Sequence, residues 1–211
     1  MKNVLIVLGL ILILSGLMFT LKMNFFKEKG ENKKMMKNEF LEALYSAGTN
    51  SDLNKEQDLF GQFVGSWEFE WFGREPDDVV KYEKGEWIFS WILEGRVIQD
   101  LWIIPGRDRR NKQGMPKGEY GTTLRFYNIK SKVWNVVWIG PVNGNLNTFE
   151  ARQIGDEIVL EETNRKNGMR KWIFSDISSD KFHWRAVKSD DGGKNWILTE
   201  EMNVRRKSNK N

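Results

Sequence analysis

The chain has 211 residues, with ten tryptophans, thirteen phenylalanines and no cysteine, which excludes disulfides, thiolate catalysis, a cysteine-linked lipid and cysteine metal sites. The formal net charge is +4, but residues 1–50 carry +3, the end from Arg205 onward carries +4, and residues 51–204 carry −3. A nucleic-acid domain concentrates basic charge on its folded body, so this distribution argues against nucleic acid as a partner.

Residues 1–22 form an N-terminal hydrophobic segment. Residues 4–21, "VLIVLGLILILSGLMFTL", run eighteen positions without a charge, about 27 Å as a helix, which marginally spans a hydrocarbon core. No A-x-A-like cleavage site follows, so an uncleaved membrane anchor is preferred to a secretory signal. The lysines from Lys22 to Lys37 favour a cytoplasmic domain by the positive-inside rule, whereas the usual habit of signal anchors places the amino terminus inside, and the side of the membrane stays open. Translation from Met35 or Met36 would instead give a cytoplasmic chain without the segment. Residues 23–36 are a charged linker. Residues 37–63 are expected to hold two short helices: "NEFLEALYSAG", with Phe40, Leu41 and Leu44 on one face, Asn38 as cap and Gly48 as stop; and "SDLNKEQDLFGQFV", capped by Ser51 or Asp52, with Leu59, Phe60 and Phe63 as an apolar edge. Helices placed before a β body act as its lid or plug.

From residue 64 to 206 the period of the pattern is two. In "WEFEW", Trp67, Phe69 and Trp71 share one face and Glu68 and Glu70 the other. Nine similar runs follow: "GEWIFSWIL", "RVIQDLWII", "GTTLRFYN", "VWNVVWIG", "NTFEARQ", "EIVLEE", "RKWIFSDI", "FHWRAV" and "WILTEEMNVR". Turn signals such as Glu94-Gly95, Gly155-Asp156 and Asn167-Gly168 separate them. About ten strands with no helix between them predict an all-β, antiparallel up-and-down barrel, because closure removes the edges of a meander. Residues 207–211 are a basic tail. The basic loop "GRDRRNKQGMPKG" (residues 106–118) reads as solvated rather than phosphate-binding.

At "VGSWEFEW" the chain resembles the calycin superfamily of lipocalin-like barrels, whose first strand carries a Gly-x-Trp motif, here Gly65, Ser66 and Trp67. "GTTLRFYN", "VVWIGPV", "WIFSDI" and "EEMNVRR" resemble a bacterial branch of lipocalin-like proteins. The resemblance implies that an arginine of the last strand, Arg205 or Arg206, packs over Trp67 and closes the barrel base; Gly65, Trp67 and Arg205 are assigned to this structural motif. Ten strands are similar in number to fatty-acid-binding-protein or nitrobindin-like relatives. The latter imply haem ligation by His183, the one histidine, but their Gly-rich opening is not kept, because Phe69 and Trp71 occupy its later two glycine positions.

Barrels of this size enclose small ligands, so polar groups alternating with aromatics are the candidate binding residues. They are Asp100, Arg125, Glu150, Arg152, His183 and Arg185, with Trp71, Trp91 and Trp138 as lining or filling; parity alone does not say which face is inside. If inward, the charged set suits a carboxylate-bearing or otherwise polar molecule. No metal site is expected, since zinc wants two or three His or Cys ligands. "SDDGGKNW" fits the Asp-box pattern through Ser189, Asp191, Gly193 and Trp196; in a single copy it reads as a hairpin device, not a sugar site. The leading functional reading is a small-molecule binding module for an amphipathic or polar ligand, tethered to a membrane by residues 4–21, with no cofactor expected. The alternatives are an enzyme using Glu150, Arg125 and His183 for acid–base chemistry, a haem protein, and a structural barrel filled by tryptophans.

Overall fold

The computed structural model describes residues 18, 20–27, 29, 39–54, 58–74, 80–110, 112 and 118–208. The chain divides into a unit of residues 1–44 and a unit of residues 45–211. In the first, residues 20–27 and 39–44 are helical. Among the described residues no helix is long and apolar enough to cross a membrane; the expected anchor at residues 4–21 lies outside them except for positions 18, 20 and 21, as does most of the linker.

The second unit is a closed barrel. Its strands are β1 (Tyr45–Ser46), β2 (Gly65–Arg74), β3 (Val80–Ile92), β4 (Val97–Ile104), β5 (Glu119–Asn128), β6 (Val133–Gly140), β7 (Asn145–Ile154), β8 (Glu157–Glu162), β9 (Met169–Ser175), β10 (Lys181–Ser189) and β11 (Ile197–Arg206). From β2 to β11 each strand pairs antiparallel with the next, and β11 returns to β2, with Arg206 opposite Trp67 and Met202 opposite Trp71. All ten period-two runs of the sequence are strands of this barrel. Closure leaves no free edge among the ten.

Two expectations for residues 37–63 are corrected. The helix of residues 39–44 stops short of Gly48, because Tyr45 and Ser46 pair with Ile92 and Trp91 at the end of β3. Strand pairing here outweighs weak helical propensity. Among the described residues of the second expected helix, 51–53 form a turn and Gly61–Phe63 a single 3₁₀ turn, and residues 55–57 lie outside them. The Gly61 amide donates to Asp58 Oδ1 at 2.7 Å, which turns the chain before a longer helix extends and drops Phe60 and Phe63 into the barrel, 0% and 1% exposed. Burial raises the Asp58 carboxyl above its ordinary pKa, and the Gly61 bond opposes the shift.

This turn is the plug of the barrel base. Phe63 meets the rings of Trp67, Phe89, Phe174 and Phe182, and its carbonyl accepts the Trp67 indole N–H at 2.6 Å. Arg206, not Arg205, lies over Trp67, with its guanidinium 4.0 Å from the ring centre. The parity of β11 decides this: Met202 and Val204 are buried, Arg205 falls on the outer face, and Arg206 reaches back over the base. Its guanidinium donates to the carbonyls of Val64, Ser179 and Gln62. Gly65 stands at φ 124°, and a Cβ there would meet Arg206 Nη1 at 2.7 Å, so the glycine of Gly-x-Trp admits both the bend and the arginine.

Candidate functional site

The end of the barrel away from the plug carries the longer connections, those after β4, β8 and β10. Inward-facing positions there are aromatic. Trp71, Trp102, Trp138 and Trp172, from β2, β4, β6 and β9, are half-buried, while Trp87 and Trp184, from β3 and β10, lie deeper. Six aromatics, Phe69, Trp102, Trp138, Trp172, Trp184 and Trp87, close into a ring of contacts, and Trp71 stands outside that circuit. Phe69 stacks on Trp102 at 5.4 Å, Trp102 meets Trp138 at 5.8 Å, and Trp138 meets Trp172 at 6.3 Å. Trp172 meets Trp184 at 5.6 Å, Trp184 meets Trp87 at 6.5 Å, and Trp87 returns to Phe69 at 6.4 Å.

Glycines make room for this ring. A Cβ on Gly121 would strike the Trp138 indole at 2.2 Å, one on Gly73 the Trp71 indole at 2.4 Å, and one on Gly85 the Phe69 ring at 2.1 Å. Each large ring therefore lies flat across a glycine of its own or a neighbouring strand. Polar contacts fix two indoles: Trp71 Nε1–H donates to Glu200 Oε2 at 3.0 Å, and Trp102 Nε1–H to Met202 Sδ at 3.3 Å. Met202 thus reaches from β11 to the Trp102 indole on β4 with a flexible thioether.

Of the residues proposed from sequence, Trp71, Trp91, Asp100, Arg125 and Trp138 face inward. Trp91, 6% exposed, belongs to the core of the unit. Asp100 and Arg125, 0% and 1% exposed, form a buried ion pair at 2.5 Å. Asp100 Oδ1 also accepts the Thr123 amide at 3.0 Å, and the guanidinium lies between the faces of Phe60 and Phe89 at 5.1 and 5.3 Å. The pair sits against the plug, away from the tryptophan ring, and each charge is already answered by the other.

The remaining four are on the outer wall, so the single polar constellation set out from sequence does not form. Glu150 and Arg152 alternate with the buried Phe149 and Ala151 and pair with each other at the surface, at 2.9 Å. His183 and Arg185 alternate with the buried Phe182, Trp184 and Ala186. His183 Nε2 lies 3.3 Å from Glu201, which also pairs with Arg74, and Arg185 binds Glu157 and Ser175. An interior haem finds no axial imidazole, because the one histidine is outside. Among the described residues no group of three His, Cys, Asp or Glu side chains gathers as a metal site.

The basic loop after β4 is held by specific partners. Arg107 forks onto Glu86, whose carboxyl it holds below the usual range. Arg109 pairs with Glu83, and Arg110 donates to the carbonyls of Ile104 and Glu119. In the Asp-box turn, Asp191 Oδ1 accepts the amides of Lys194 and Asn195 at 3.0 Å each and the Ser189 hydroxyl at 2.8 Å. Trp196 Nε1–H closes the turn on the Gly193 carbonyl. These bonds hold the Asp191 carboxyl down at about 2, the Asn195 amide contributing most.

The closed ten-stranded meander, its Gly-x-Trp opening and the arginine over that tryptophan define the architecture. The fold is a closed, antiparallel up-and-down barrel of ten strands. It is similar to Rv2717c from M. tuberculosis, with 14% identity, a TM-score of 0.47, and coverage of 74% of this chain and 100% of that one. It is also similar to the S-type phycobiliprotein lyase CPES from Guillardia theta, with 10% identity, a TM-score of 0.47, and coverage of 73% and 93%. No protein-family profile and no curated protein matches the sequence.

Sequence reasoning missed Trp87, Trp102, Trp172, Trp184 and Met202 as members of one interior cluster. A signal was present: in β9 and β10, "KWIF" and "FHW", the parity of the aromatics marks the inner face and assigns His183 and Arg185 to the other. In β4, "VIQDLWII", apolar residues occupy both parities, so Asp100 could not be placed without its partner on β5.

Proposed function

We propose that this chain is a lipocalin-like binding protein for a small, mainly apolar and flat molecule, taken up at the barrel end rimmed by Trp71, Trp102, Trp138 and Trp172. The observation that supports this most is the ring of half-buried indoles at one end of a barrel whose other end is stoppered by Phe60 and Phe63. Indole faces at the end of a barrel are expensive to leave wet and offer stacking surfaces to a planar guest. The tether remains part of the proposal: residues 4–21 anchor the carrier to a membrane, with its ligand drawn from or delivered to that lipid phase.

An enzyme built on Arg125, Glu150 and His183 is disfavoured, because the first is sealed inside and the other two stand on the outer wall. A haem carrier using His183 is disfavoured for the same reason. The competing reading is a barrel filled by its own side chains, favoured by the reach of Met202 to Trp102. Native mass spectrometry of the full chain from its own host, in gentle detergent, separates the two. A bound organic mass, released with a change in tryptophan emission, is the expected result; a bare chain whose emission no lipid or metabolite extract alters would favour the filled barrel.

A further inference from the structure

Two of the three buried side-chain nitrogens without a hydrogen-bond partner among the described residues belong to the tryptophan ring. They are Nε1 of Trp87 and Nε1 of Trp184, side chains 4% and 5% exposed, whose ring centroids lie 6.5 Å apart. The third is Arg125 Nε, at the plug. Indole nitrogen only donates, and a buried donor left unmatched is costly. The two rings meet edge to face at 83°; an N–H lying on a π face is a second-order contact and does not replace an oxygen acceptor. Other indoles take side-chain or backbone acceptors of this chain: Trp67 from Phe63, Trp71 from Glu200, Trp102 from the Met202 thioether and Trp196 from Gly193. The unmatched pair is thus confined to the deep side of the ring that the proposed ligand would enter.

We infer that the ligand carries an uncharged oxygen acceptor, a ketone, ester or amide carbonyl on a flat apolar body, received by the indole N–H groups of Trp87 and Trp184. This rests on the binding reading above and narrows its ligand class. Neutrality follows from the surrounding charges. Among the described residues Arg125 is the only fully buried cation, and it is held by Asp100. Glu200, which accepts from Trp71 at the rim, adds negative charge on the way in. A carboxylate or sulfonate beside the two indoles would be buried without a counter-charge, a cost two neutral N–H donors do not offset.

Three fluorescent naphthalene probes test this on the full chain. Prodan is neutral and carries one ketone; N-phenyl-1-naphthylamine is neutral and has no oxygen; 1-anilinonaphthalene-8-sulfonate is the same anilinonaphthalene with an anionic group. Prodan is expected to bind about tenfold more tightly than the oxygen-free amine, the worth of one to two neutral hydrogen bonds, and the sulfonate more weakly than Prodan. In Trp87→Phe/Trp184→Phe the ratio of Prodan to amine affinity is expected to fall from about ten to about one. Should that variant fail to fold, indole N–H resonances of the unaltered chain give a second readout: two of them, identified by their loss in the single Phe variants, should move on Prodan binding. Equal binding of Prodan and the amine, or a Prodan advantage that survives the double variant, overturns the carbonyl inference and leaves the binding reading standing. Tightest binding by the sulfonate overturns the neutrality of the ligand. Binding of none of the three overturns both.

Discussion

Arg125 and Asp100 are the clearest case of a polar pair whose role is decided by its surroundings. Both are fully buried, they are hydrogen-bonded to each other, and Phe60 and Phe89 cover the guanidinium. Removing one partner strands a charge in a low-dielectric site, so Arg125→Met is expected to cost about 3–5 kcal/mol in urea unfolding, whereas Arg125→Met with Asp100→Leu recovers most of it. A single-variant cost under about 1 kcal/mol would show that the remaining carboxylate is solvated or protonated. Either residue is therefore a poor candidate for ligand contact, even though both face inward as the binding reading requires. Arg125 Nε is left without a partner, as are the indole nitrogens of Trp87 and Trp184, but the Arg125 charge itself is answered by Asp100.

Among the elements, the β10–β11 hairpin shows how one short motif holds a turn. Gly192 and Gly193 take φ 79° and 89°, a conformation that a side chain resists, and Asp191 gathers the amides that follow. Its carboxyl lies at about 2, below the ordinary 3.8. With the folded value depressed, the charged turn contributes fully above the unfolded carboxylate pKa and is lost as pH falls through about 2. An NMR titration of the Asp191 carboxyl should show that midpoint, with the Lys194 and Asn195 amides moving in step. A midpoint at the ordinary value would mean that the turn bonds do not form in solution. The strand glycines work differently: Gly73, Gly85 and Gly121 sit under aromatic rings, and their role is space rather than unusual φ.

The whole molecule depends on a plug that the chain threads into the barrel before the first long strand. Phe63 joins β2, β3, β9 and β10 through ring contacts, Arg206 fastens the last strand to the carbonyls around it, and Asn50 and Asp52 tie the preceding segment to the turn at residues 93–96. Phe63→Ala is expected to lower stability by about 3–5 kcal/mol, read as a shift of the urea midpoint with unchanged slope. A loss below about 1 kcal/mol would detach the plug from the core. A cooperative single transition is also expected for the barrel, because its closing pair, β2 with β11, joins positions far apart in sequence.

The sequence by itself determined the ten strands, most of their turns and the Gly-x-Trp base, because a period of two and a turn residue are local properties that survive in any tertiary context. It also held, unread, the parity that sends Glu150, Arg152, His183 and Arg185 outward, since Phe149, Ala151, Phe182 and Trp184 mark the inner face of the same strands. Only the tertiary structure decided that Arg206 rather than Arg205 covers Trp67, that Asp100 meets Arg125, and that six aromatic side chains from six strands close into one ring. Those outcomes depend on how the barrel closes and on which faces meet across it. Such a relation between distant segments is set by packing and register together.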